Sequence, residues 1–76
     1  MSFVSVEAVV IEQGRAGKGQ LWGVKVVWKK GDPAQLLQLS AARTLAQQAE
    51  QGGDEPLSAA LRKEIANAER QMHRSS

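Results

Sequence analysis

Between Leu21 and Lys30 the side chains alternate, with Trp22, Val24, Val26 and Trp28 at even positions and Lys25 and Lys29 among the odd ones. This period of two specifies a half-buried β-strand, because successive side chains of a strand point to opposite faces. A second run, Phe3 to Glu12, is rich in Val and Ile and sets Val4, Val6, Ala8 and Val10 on one side. Between the runs, Gln13 to Gln20 contains Gly14, Gly17 and Gly19, which supply the unusual backbone conformations of a hairpin loop. One register satisfies every apolar even residue. Val10 meets Trp22, Ala8 meets Val24, Val6 meets Val26 and Val4 meets Trp28, while Glu7 faces Lys25 on the opposite side.

After the hairpin the pattern changes. Gly31 ends the second strand, and Asp32 followed by Pro33 is a helix start, with Asp32 as cap and Pro33 at the first helical position. A helix over residues 33–51 then gathers Leu36, Leu39, Ala42, Leu45, Ala46 and Ala49 near one stripe. The run Leu-Leu-Gln-Leu also permits a short third strand over residues 35–39, with Ser40 capping a shorter helix. Gly52 and Gly53 stop this helix, and Asp54, Glu55 and Pro56 open the next. Its stripe is Leu57, Ala60, Leu61, Ile65, Ala68 and Met72. The expected fold class is α+β: an N-terminal antiparallel β-hairpin (residues 1–31), helices over 32–51 and 54–73, and a short tail, in one domain.

A chain of 76 residues has room for one thin core, and with no cysteine it has neither disulfides nor thiolate metal sites to reinforce it. Stability must therefore come from packing or from association. With helices on one face of the hairpin, the other face shows Phe3, Val9, Ile11, Leu21 and Val27 among Ser5, Glu7, Lys25 and Lys29, which is too apolar for a solvated surface. Both strands of a lone hairpin are also edges with unpaired backbone groups. A homodimer that extends the sheet across a two-fold axis is the expected remedy. The longest apolar run, Ala8 to Ile11, is far too short to span a membrane, and the acidic Glu7 does not suit a signal peptide. The chain starts at Met1 and ends in Arg74, Ser75 and Ser76, so it reads as a complete small cytoplasmic protein.

Chemistry is hard to find. The sole histidine, His73, sits near a helix end beside Arg70 and Arg74, where its charge suits the helix dipole and where no Ser or Asp stands at a triad-like position. Asp54 and Glu55 are explained by the helix start, and Glu64 and Glu69 by a solvated helix face. No catalytic residues, metal ligands or cofactors are expected. The loop from Gly14 to Gly19 lacks the Gly-Lys-Ser/Thr ending of a phosphate-binding loop. Charge is uneven, however. The first 31 residues carry Arg15, Lys18, Lys25, Lys29 and Lys30 against Glu7 and Glu12, a basic ribbon suited to nucleic acid or to an acidic partner. Two readings follow. One is a non-catalytic protein-binding module, a regulator, inhibitor or assembly factor of the kind that phages and mobile elements encode. The other is a nucleic-acid-binding accessory protein that uses the basic hairpin.

Overall fold

The structure, a computed structural model, describes residues 3–12 and 20–75. Three strands, β1 (Ser5–Glu12), β2 (Leu21–Val27) and β3 (Gln35–Gln38), precede two helices, α1 (Leu39–Gln51) and α2 (Glu55–Ser75). The sheet order is β1-β2-β3 and both pairings are antiparallel. The α+β class is as expected, but β2 is a central strand, not one half of an isolated hairpin.

The register of the hairpin follows the apolar alternation. Val10 pairs with Trp22, Ala8 with Val24, Val6 with Val26, and Glu7 with Lys25. The pattern breaks at both ends of β1. Beyond Val10 the register shifts, so that Glu12 pairs with Leu21 and Ile11 has no residue opposite. At the other end the chain bends at Val4, whose N–H donates to the Val27 carbonyl at 2.7 Å, and the expected Val4–Trp28 pair does not form. Alternation requires extended backbone, and it stops there. Phe3 consequently turns inward and packs against the core, contrary to its assignment to the outer face, and Val4 is 53% exposed.

The segment after β2 departs from the expected helix over 33–51. A turn closes through Asp32 N–H to the Lys29 carbonyl (3.1 Å), with Gly31 at φ +92°, a value that a side chain disfavours. Asp32 and Pro33 therefore belong to a reversal, not a helix start. The chain returns along β2 and pairs Val24 with Leu37 and Val26 with Gln35. Trp28 ties the reversal down through its indole N–H to Gln35 Oε1 at 2.8 Å. Pairing with β2 satisfies backbone groups that a two-stranded hairpin leaves bare, and this tertiary gain overrides the helical spacing of the leucines. The short-strand alternative is thus the one adopted, although Ser40 is not its cap. Gln38 occupies that position and makes no side-chain capping bond.

The end of α1 is a Schellman motif. Gly53 N–H donates to the Glu50 carbonyl (3.2 Å), Asp54 N–H to that of Ala49 (2.8 Å), and Gly53 has φ +81°. Asp54 then caps α2, its Oδ1 accepting from Leu57 N–H at 3.4 Å. The two helices pack on each other and lie on one face of the sheet. Val24 and Val26 are fully buried beneath Ala42, Ala46, Ala49, Leu57, Leu61 and Ile65, with Val6, Leu37, Leu39, Leu45 and Trp28 at the margin. Each large apolar side chain buried here contributes about 1.5–3 kcal/mol. Leu36, which the helical reading put in this stripe, instead points away from it and is 55% exposed.

Gly23 is the tight point of the sheet. A Cβ there would lie 1.8 Å from Ile11 Cδ1 and 2.3 Å from the Leu37 carbonyl oxygen. Ile11 has rotamer freedom, but the Leu37 contact is to backbone and requires β3 to move. Gly23→Ala is therefore expected to cost about 2–3 kcal/mol in urea unfolding. Gly31→Ala, which meets open space and suffers only from its positive φ, is expected to cost about 1 kcal/mol. Equal costs at the two positions would show that β3 is not seated against Gly23.

Candidate protein-binding surface

The helices cover only the even face of the sheet. The odd face carries Ser5, Glu7 and Val9 from β1, Leu21, Gly23, Lys25 and Val27 from β2, and Leu36 and Gln38 from β3, as strand alternation and the register require. Ile11, carried on the irregular end of β1, folds over Gly23 on this side. Val9, Ile11 and Val27 are half-buried, while Leu21 is 39% exposed. At the middle of the face Lys25 Nζ lies 3.6 Å from Glu7 Oε2. Four of the five residues expected to form a partner surface thus share one face, and Phe3 does not. Leu36 belongs to the face as well; the helical spacing of its neighbours concealed it.

The basic ribbon fares differently. Arg15 and Lys18 lie outside the described residues. Lys25 is paired with Glu7, and Lys29 and Lys30 are exposed in the turn that leads to β3. Among the described residues, the only uncommitted part of the ribbon is therefore this pair of lysines at one corner of the sheet.

The two sheet edges are unlike. On β1 the backbone N–H of Ala8 donates to Glu64 Oε1 of α2 at 3.1 Å, and Asn67 Nδ2 donates to the other carboxylate oxygen at 3.2 Å. A helix side chain thus closes the middle of this edge, and the irregularity at Ile11 disrupts its end. Both are devices that stop strands from pairing with strangers. β3 carries no charge, no proline and no bulge within Gln35–Gln38.

Between the two helices, a cleft of about 440 Å³ is lined by Arg43, Ala46, Gln47, Glu50, Arg62 and Ile65. Arg62 is bonded to Glu50, and Arg43 to Glu69 at 3.0 Å, so its charges are already matched across the helix pair. Trp22 is half-buried, and its indole nitrogen has no hydrogen-bond partner among the described residues. No group of three or more His, Asp or Glu among the described residues is arranged to hold a metal ion, and no helix among them is long and apolar enough to cross a membrane.

Glu64 gives the test of this asymmetry. Glu64→Ala removes the acceptor for Ala8 N–H and is expected to cost about 1–2 kcal/mol, with faster amide exchange at Ala8. Glu64→Gln keeps an acceptor oxygen and should lose less than half as much. Unchanged exchange at Ala8 in the alanine variant would show that α2 does not guard this edge. No protein-family model, no curated protein and no solved structure matches the chain.

Proposed function

We propose that this chain is a small non-catalytic protein-binding module that works as a homodimer and presents the open face of its sheet to a larger protein, as a regulator, inhibitor or assembly factor. One observation carries the reading: both helices lie on one side of the sheet, which leaves Val9, Leu21, Val27 and Leu36 on the other around a single Glu7–Lys25 pair. Apolar side chains grouped on a strand face with few charges are the usual core of a protein interface. A nucleic-acid groove demands unpaired cations, and the central lysine of this face is already matched by a carboxylate.

The experiment is an affinity capture with three forms of the protein: wild type, Leu21→Glu on the open face and Lys63→Glu on the exposed side of α2. A protein retained by wild type and by Lys63→Glu, and reduced at least ten-fold with Leu21→Glu, is the expected result. Equal retention by all three forms overturns the assignment of the open face. Binding to duplex DNA that falls steeply with salt would favour the nucleic-acid reading instead.

A further inference from the structure

We infer that the homodimer forms through the free edge of β3, with Leu36 of one copy opposite Leu36 of the other, to give a continuous six-stranded sheet. This rests on the homodimer reading above and specifies its geometry.

Backbone parity fixes which groups of β3 face outward. Ala8 N–H points to Glu64 and hence away from β2. In an antiparallel ladder the outward and inward residues alternate, so the backbone groups of Val24, opposite Ala8, turn toward β3 and meet Leu37. Odd residues of β3 therefore bond to β2, while Leu36 directs its N–H and C=O groups outward and Gln38 its N–H. Only even residues can pair with a new strand at this edge. Directly opposed residues share a face, so a second β3 must place its helices on the same side as the first.

The register is also determined. Gln38 is the N-cap of α1, and its carbonyl accepts the first bond of that helix. A pairing of Leu36 with Gln38 of the other copy needs that carbonyl and forfeits two bonds. A pairing of Leu36 with its own counterpart makes four bonds from free groups, against two in that alternative. The two Leu36 residues exchange two hydrogen bonds, and each Gln38 N–H reaches the Ala34 carbonyl of the other copy. The same geometry brings together the two Leu36 side chains, each 55% exposed in a single copy.

A second copy suits this edge better than the edge of β1. A two-fold axis sets each residue near itself, so a charged strand opposes its own pairing. Gln35–Gln38 is uncharged, whereas β1 carries Glu7 and Glu12 and is occupied by Glu64. Area points the same way. Strands of eight, seven and four residues, at ~3.3 Å per residue and ~4.8 Å between strands, make a face of about 300 Å², well below the ~800 Å² per partner of a standard interface. Because the parity keeps both open faces on one side, joining two copies about doubles the surface offered to a partner.

The chain has no cysteine, so a single introduced thiol reports proximity without background. Paired residues that exchange hydrogen bonds across an antiparallel ladder have Cα atoms about 5.5 Å apart, within disulfide reach. Wild-type protein is sized by sedimentation at 100 µM, and Leu36→Cys and Leu21→Cys are oxidised in parallel under non-reducing conditions. The expected result is a dimer in which Leu36→Cys cross-links at least ten times faster than Leu21→Cys. A dimer in which the Leu21 position cross-links as fast or faster overturns the β3 edge while leaving the homodimer reading intact. A wild-type monomer overturns both. Leu36→Lys, at an exposed position that does not feed the core, is a second probe: it should weaken the dimer at least ten-fold with an unchanged circular dichroism spectrum, and an unaltered dimer affinity contradicts the inference.

Discussion

The structure depends on the double enclosure of β2. Val24 and Val26 are sealed by helices on their side-chain face, and the same strand is paired with β1 on one edge and β3 on the other. A small chain without disulfides has few ways to hold a strand this firmly. Each component relies on the rest. Without β3, the backbone groups of Val24 and Val26 would be buried beneath the helices without partners, at a cost larger than a short strand can recover through packing alone. Without the helices, a three-stranded meander of this size would expose the valines that stabilise it.

Enclosure of one face and one strand leaves the opposite surfaces open, and the chain treats them unequally. The β1 edge is closed by a carboxylate from α2 and by an irregular end; the β3 edge is uncharged and, among the described residues, unpaired. The even face is core, while the odd face is a mixture of half-buried valine and isoleucine, exposed leucine and one ion pair. Sheet extension and face burial are separate problems here. Pairing at an edge satisfies backbone groups but, by parity, leaves the odd faces side by side in the open. A pairing partner along an edge and a covering partner on a face are therefore different requirements of this sheet.

Much of this was legible in the residues. The alternation of Trp22, Val24 and Val26 against Val10, Ala8 and Val6 belongs to the register that gives the most apolar even residues a partner, and over these residues that register is present. Glu7 opposite Lys25, the glycine stop at Gly52 and Gly53, and the stripe from Leu57 to Ala68 were equally plain, because each rests on local chemistry. The segment 33–38 was not plain. Pro33 after an aspartate signals a helix start, and leucines at 36, 37 and 39 fit helix and strand alike; what decides between them is a long-range ladder to β2 that no local pattern contains. Helical spacing assigns Leu36 to the core for that reason, and the ladder turns it outward. Phe3 and Val4 exchanged roles because a bend interrupts the strand, and nothing in a Val-rich run announces a bend. The Glu64–Ala8 bond joins residues far apart in the chain and had no signature at all.

Residue-by-residue amide hydrogen exchange of the native protein tests the double enclosure of β2. Amides that face β1, at Gly23 and Lys25, and amides that face β3, at Val24 and Val26, should all exchange slowly and at rates set by global unfolding. Slow exchange at Gly23 and Lys25 together with rapid exchange at Val24 and Val26 would show that β2 has only one neighbour and would contradict its double enclosure.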